Sequence, residues 1–203
     1  MRRTKEDAEK TRELILKTAA DLFSEKGVVR TTLLDIARVA HLTRGAIYWH
    51  FQNKLEIFDA LYERLHQPFV QMILEDMNED HPEPLEQLRD LCIKLFLDLR
   101  DNREKRQMIK LFLIKCDYEG ELAPYKKKHR AQKKEGLALF NRYFDRARER
   151  GILMESVPSD LLTLSLNCYM KGILFEYLDD PDAFDMTLMA PRLMTQFFDG
   201  LHV

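Results

Sequence analysis

Seven glycines and seven prolines in 203 residues leave little to interrupt helices, and an all-α fold is the expectation. Cysteine is as sparse. Cys92, Cys116 and Cys168 stand far apart with no C-x-x-C spacing, which reads as reduced, buried thiols of a cytoplasmic protein, not disulfides or metal ligands. No apolar run is long enough to span a bilayer, and the charged N-terminus lacks the apolar core of a signal peptide. There is no glycine-rich phosphate loop, no H-E-x-x-H and no nucleophile elbow, and the six histidines are scattered. Nothing therefore supports an enzyme, and no cofactor is expected. Internal repeats and low-complexity segments are also missing.

What is present is a core-forming 45% of hydrophobic residues and an uneven distribution of charge. Residues 1–54 hold 11 Lys and Arg against 7 Asp and Glu, while the rest of the chain holds 21 against 27. A basic N-terminal part over an acidic remainder suits a contact with nucleic acid.

The stretch that organises the chain is TTLLDIARVAHLTRGAIYWHFQNK, residues 31–54. Thr32 is placed to cap a helix, and Asp35 falls where a carboxylate reaches back to the cap. Leu33, Ile36, Ala37 and Ala40 recur at helical spacing and give that helix one buried face. His41-Leu42-Thr43 breaks the pattern, with Leu42 as an apolar plug and Thr43 as the cap of a second helix over 44–50. Two short helices joined by such a turn insert the second into the DNA major groove. Arg44, Tyr48, Trp49 and His50 are large side chains on a helix too short to need them for its own stability. Gly45 costs a helix about 1 kcal/mol, and close approach to a sugar-phosphate backbone is one reason to keep it. The alternative is that Tyr48 and Trp49 are core aromatics of a small helical domain.

These residues, with the opening MRRTKEDAEKTRELILKTAADLFSEKGVVRTT, resemble the N-terminal domain of the TetR family of transcriptional regulators, and most of all its AcrR-type multidrug-efflux repressors. The motif spans about the first quarter of the chain; the remainder is similar in length and helical layout. The resemblance implies about nine helices, with a three-helix DNA-binding domain over 1–53 and a larger ligand-binding and dimerisation domain over 54–203. It implies double-stranded operator DNA as a partner, contacted through Thr32, Thr43, Arg44, Gly45, Ala46, Tyr48, Trp49, His50 and Lys54. Lys54 matches the family's phosphate-binding lysine at a helix N-terminus.

Elsewhere the pattern predicts a first helix over 4–26, buried through Leu14 or Ile15, Ala19, Leu22 and Phe23, with Gly27 as its stop. Arg2, Arg3 and Lys5 are either a DNA-contacting basic arm or a solvated tail. A long helix from Lys54 carries Leu55, Phe58, Leu61, Tyr62, Leu65 and Phe69, and Pro68 should kink or break it. Further helices are expected from Pro84 to about Arg100, from Arg103 to Tyr118 and from about Pro124 to Arg150. The first half of the last of these, KKKHRAQKK, reads as a solvated face. A helix starting at Pro158 and Ser159 is apolar nearly all round, and a final one ends near Gly200, its regular part beginning near Pro191.

The last two helices carry more apolar surface than one subunit uses, so a homodimer through them is expected. By resemblance, a small hydrophobic or aromatic effector is held among Leu65, His66, Leu88, Cys92, Leu95, Ile109, Phe112, Leu113, Phe140, Asn167, Met170 and Leu174. The polar residues His66, Asn167 and Lys171 would orient it, with Lys171 equally readable as an exposed residue at the rim. The function implied is a ligand-released repressor of a multidrug efflux operon that makes no use of a membrane. The alternatives are a TetR-like regulator answering to a metabolite or lipid-derived ligand, a TetR-like activator, and a DNA binder without sequence preference.

Overall fold

Residues 5–79, 81–153 and 157–201 are described by the computed structural model. Among them are nine α-helices and no strand: α1 Lys5–Lys26, α2 Leu33–Val39, α3 Arg44–His50, α4 Lys54–Met77, α5 Pro84–Asp101, α6 Arg103–Lys110, α7 Ala123–Glu149, α8 Ser159–Asp179 and α9 Met186–Asp199. A π-helical turn, Leu111–Lys115, continues α6, and a 3-10 turn, Gly120–Leu122, precedes α7. Of the expected basic arm, Arg2 and Arg3 lie outside the described residues, and Lys5 opens α1.

Packing divides the chain into two units, Met1–Leu65 with Glu104–His129 and His66–Arg103 with Arg130–Val203. This is not a single cut after residue 53. The first unit also takes the start of α4, α6 and the opening of α7, because its core needs them. That core is built on Ile15, Phe23, Ile36, Ile47, Phe58 and Leu61, closed by Met108, Leu111 and Leu122. Of the pair Leu14 and Ile15, Ile15 turns inward and Leu14 is exposed. The second unit is centred on Ile73, Leu88, Cys92, Phe96, Phe140, Tyr143, Phe144, Leu166, Met194 and Phe198. Burial of each such side chain stabilises by about 1.5–3 kcal/mol.

Local sequence rules are overridden at several places. α4 runs unbroken through Pro68. The ring removes the N–H that would meet the Arg64 carbonyl, a loss of about 3 kcal/mol in an isolated helix. Here Leu61 anchors the helix in the first core and Ile73 in the second. Likewise α9 begins at Met186, five residues before Pro191, because Asp185 caps it by accepting the Thr187 N–H at 2.8 Å and buried Met186 and Ala190 pin its first turns. The single helix expected from Arg103 to Tyr118 is instead α6 plus the π turn, followed by an irregular stretch. Phe112, Tyr118 and Tyr125 gather there around Phe58 and His129, and a regular helix cannot bring 112 and 118 to one point. The cysteines differ too. Cys92 is buried and Cys116 half-buried, but Cys168 is exposed on the outward face of α8 beside Leu161, Leu164 and Phe175.

Candidate nucleic-acid interface

The interface grows from two capped helices. Thr32 accepts the Asp35 N–H at 3.1 Å, and Asp35 accepts the Thr32 N–H at 3.0 Å and its hydroxyl at 2.7 Å. This reciprocal pair fixes the start of α2. The Thr32 hydroxyl first, then its N–H, hold the Asp35 carboxyl below its usual range. α2 ends at a tight turn in which His41 takes φ +53° and the Leu42 N–H bonds the Ala37 carbonyl at 2.8 Å. A histidine tolerates this left-handed position better than a branched residue. Thr43 then caps α3, accepting the Ala46 N–H at 3.1 Å.

α3 buries one residue, Ile47, which is fully covered. Tyr48 is 44% exposed and Trp49 70%, whereas His50 at the end of the helix is half-buried with its Nε2 covered. That settles the choice between core aromatics and displayed ones. Arg44 donates to the Tyr48 hydroxyl at 3.2 Å with its guanidinium 5.2 Å from the ring centre, so the two form one rigidified unit. Trp49 and His50 meet edge to face at 4.5 Å. A Cβ on Gly45 would meet nothing closer than Thr43 Oγ1 at 4.0 Å. No contact inside the protein therefore requires a glycine there. Thr32, Thr43, Arg44, Gly45, Tyr48 and Trp49 are exposed, and Ala46 and His50 half-exposed.

Lys54 is placed differently. Its side chain is only 18% exposed, and its ammonium bonds the Val29 carbonyl at 2.8 Å and Glu121 at 2.6 Å.

The twelve residues expected around an effector fall in both packing units. Leu65 and Phe112 pack against the first core, while Leu88, Cys92, Leu95, Phe140, Met170 and Leu174 belong to or flank the second. Ile109, Leu113 and Asn167 are half-buried. The Nε2 of His66 donates to the Gln132 carbonyl at 2.9 Å, which fixes that ring. A groove of about 660 Å³ lies elsewhere, between α8 and α9, lined by Cys168, Tyr169, Gly172, Phe184, Leu193 and Phe197 among others. It contains none of the twelve.

His129 is the residue that sequence reasoning missed. Its segment reads as a solvated basic face, yet the ring is 3% exposed and stacks flat on Tyr62 at 3.6 Å. Asp59 lies 3.1 Å from Nε2 and the Tyr118 hydroxyl 2.8 Å from Nδ1. A carboxylate only accepts, so Nε2 carries the proton and Nδ1 receives the tyrosine's. Lys128, next to it, is paired with Asp59 and Glu63 at 2.7 and 2.9 Å. The available signal was Tyr125, four residues before His129 on one helical face.

Comparison with known proteins agrees with this layout. Residues 15–61 match the profile of the bacterial regulatory proteins of the tetR family, and residues 83–203 that of the C-terminal region of MAATS-type transcriptional repressors. The HTH-type transcriptional repressor BepR of Brucella suis biovar 1 is 34% identical over 202 residues, 99% of this chain and 96% of BepR. The crystal structure of NalD, the secondary repressor of the MexAB-OprM multidrug efflux pump in Pseudomonas aeruginosa, is 33% identical, covers 98% of both chains and superposes with a TM-score of 0.83. SmeT, the repressor of the Stenotrophomonas maltophilia multidrug efflux pump SmeDEF, is 30% identical in its complex with triclosan, covering 92% of this chain and 90% of SmeT at a TM-score of 0.77.

Proposed function

The chain belongs to the TetR family of bacterial regulatory proteins, and from that premise we propose that it represses a multidrug efflux operon as a ligand-released homodimer. Its family and relatives are transcriptional regulators, not enzymes. The observation that carries DNA reading is α3, which fully buries Ile47 and displays Arg44, Tyr48 and Trp49, with His50 half-exposed at its end. Arg44 and Tyr48 read base edges in the major groove, Thr32 and Thr43 fix the backbone, and Lys54 meets a phosphate. Gly45 and Ala46 let the helix lie close to the duplex. The protein acts in the cytoplasm, and no helix among the described residues is long and apolar enough to cross a membrane.

One reader sees one half-site, so two copies joined through α8 and α9 span a palindromic operator. Exposed Leu161, Leu164, Phe175 and Leu188 on those helices support that pairing. A hydrophobic or aromatic effector alters the separation of the two readers, and a preference of a few kcal/mol releases the DNA. NalD and SmeT, both repressors of multidrug efflux pumps, favour this reading over a metabolite-responsive one.

The test is a fluorescence-polarisation titration against DNA from upstream of the protein's own gene, with random DNA as control, at two salt concentrations. Specific binding that a panel of hydrophobic drugs and dyes reverses is expected. Specific binding that no such compound disturbs would remove the multidrug assignment and leave the DNA function standing.

A further inference from the structure

We infer that Glu121 withholds the Lys54 ammonium from operator phosphates, so that one carboxylate on the loop before α7 sets how strongly the reader grips DNA. The inference rests on the proposed role of Lys54 as a phosphate contact.

Lys54 sits at the first position of α4, where a displayed ammonium would face a DNA backbone. Instead its Nζ lies 2.6 Å from Glu121 and 2.8 Å from the Val29 carbonyl, and its side chain is largely covered. Two of the three ammonium protons are thereby committed inside the protein. A phosphate approaching Lys54 has to displace Glu121, which repels it in turn.

Glu121 is brought there by the backbone, not drawn there by the charge alone. Tyr118 and Gly120 both adopt φ +54°, a strained conformation for the tyrosine. The next residue after Glu121, Leu122, is anchored in the first core at 2% exposure. The carboxylate itself remains partly exposed, 39% by side chain, so the pair opens readily and exchange with a phosphate is feasible. The loop also follows directly from the π turn that carries Phe112 and Leu113, two of the residues proposed for the effector.

The experiment uses the full-length protein and an operator duplex in fluorescence-polarisation titrations at low salt. Glu121→Gln and Glu121→Ala should each tighten binding by about three- to fivefold, the span of a partly exposed ion pair. Lys54→Met should weaken binding severalfold, and in that background Glu121→Gln should have no further effect. Glu119→Gln, which removes the same charge from an exposed position two residues away, should change affinity by less than about 1.5-fold, as expected of a screened charge. Melting temperatures of the Glu121 variants should fall by no more than about 2–4 °C, the share of that one ion pair, whereas a purely structural strap would lose more. Glu121→Gln binding as or more weakly than wild type, with Lys54→Met still weakened, would overturn the inference and leave Lys54 as a DNA contact. Lys54→Met binding like wild type would overturn both.

Discussion

Ile47 and Trp49 lie two residues apart on α3 and have opposite surroundings, one fully buried and the other 70% exposed. Their substitutions should separate folding from binding. Ile47→Ala should destabilise the protein by about 2–5 kcal/mol through the lost contacts and the cavity left behind, measured by chemical denaturation. Trp49→Ala should stay within about 0.5 kcal/mol of wild type and lose operator affinity. Comparable stability losses in both would mean that α3 packs on both faces. The caps Thr32 and Thr43 were legible in the sequence because an N-cap bond, reciprocal at Thr32 and Asp35, involves only residues three apart. His129 was not legible, since its burial depends on Tyr62 and Asp59, some seventy positions away in the chain.

His129 also makes stability depend on pH. Burial pushes its imidazole below the ordinary 6.5, and the Lys128 ammonium adds to the lowering, while Asp59 and Glu63 pull it partly back. The uncharged Tyr62, Tyr118 and Tyr125 and the rings of Phe58 and Phe112 complete its surroundings. The folded protein thus holds the ring neutral where an unfolded chain would protonate it. The contribution is complete above about pH 6.5 and is lost as the pH falls below it. His129→Gln should flatten the decline of the melting temperature between about pH 7 and pH 5.5. An unchanged slope would show that the acid sensitivity lies elsewhere.

At the scale of the element, α1 to α3 follow local rules, and α6 and α9 do not. Asp185 and buried Met186 start α9 before Pro191, and the π turn after α6 carries Phe112 into the aromatic cluster around His129. Neither is visible in apolar periodicity, since the start of α9 answers to a polar cap at Asp185 and the turn after α6 lies among rings brought from elsewhere in the chain. The approach of α7 to α4 gives a sharp test. A Cβ at Gly136 would lie 3.3 Å from His66 Nε2 and 3.6 Å from Phe69 and Val70. His66 is held to Gln132 and cannot yield cheaply. Alanine gains about 1 kcal/mol in helix propensity, but overpacking costs about 1–3 kcal/mol, so Gly136→Ala should lower the melting temperature. A raised melting temperature would mean that α4 and α7 have room to part.

At the scale of the molecule, the all-α class and the family were legible from the first quarter of the chain. The arrangement of the effector residues was not, since packing distributes them over two units. The proposed dimer rests on the outward face of α8. Leu164→Glu, at an exposed position on that face, should yield monomers by light scattering with the monomer's helicity intact, and should abolish tight binding to a palindrome. A dimer that survives the charge would move the interface off α8.

The central claim is that the outward face of α3 reads base sequence, and Arg44→Ala tests it most directly when titrated in parallel against operator and random DNA. A lost base contact costs about 1–3 kcal/mol of discrimination. The ratio of operator to random affinity should therefore fall by about five- to 150-fold, while random binding changes little. An equal loss on both DNAs would reduce Arg44 to a phosphate contact and contradict the account of α3 as the reader.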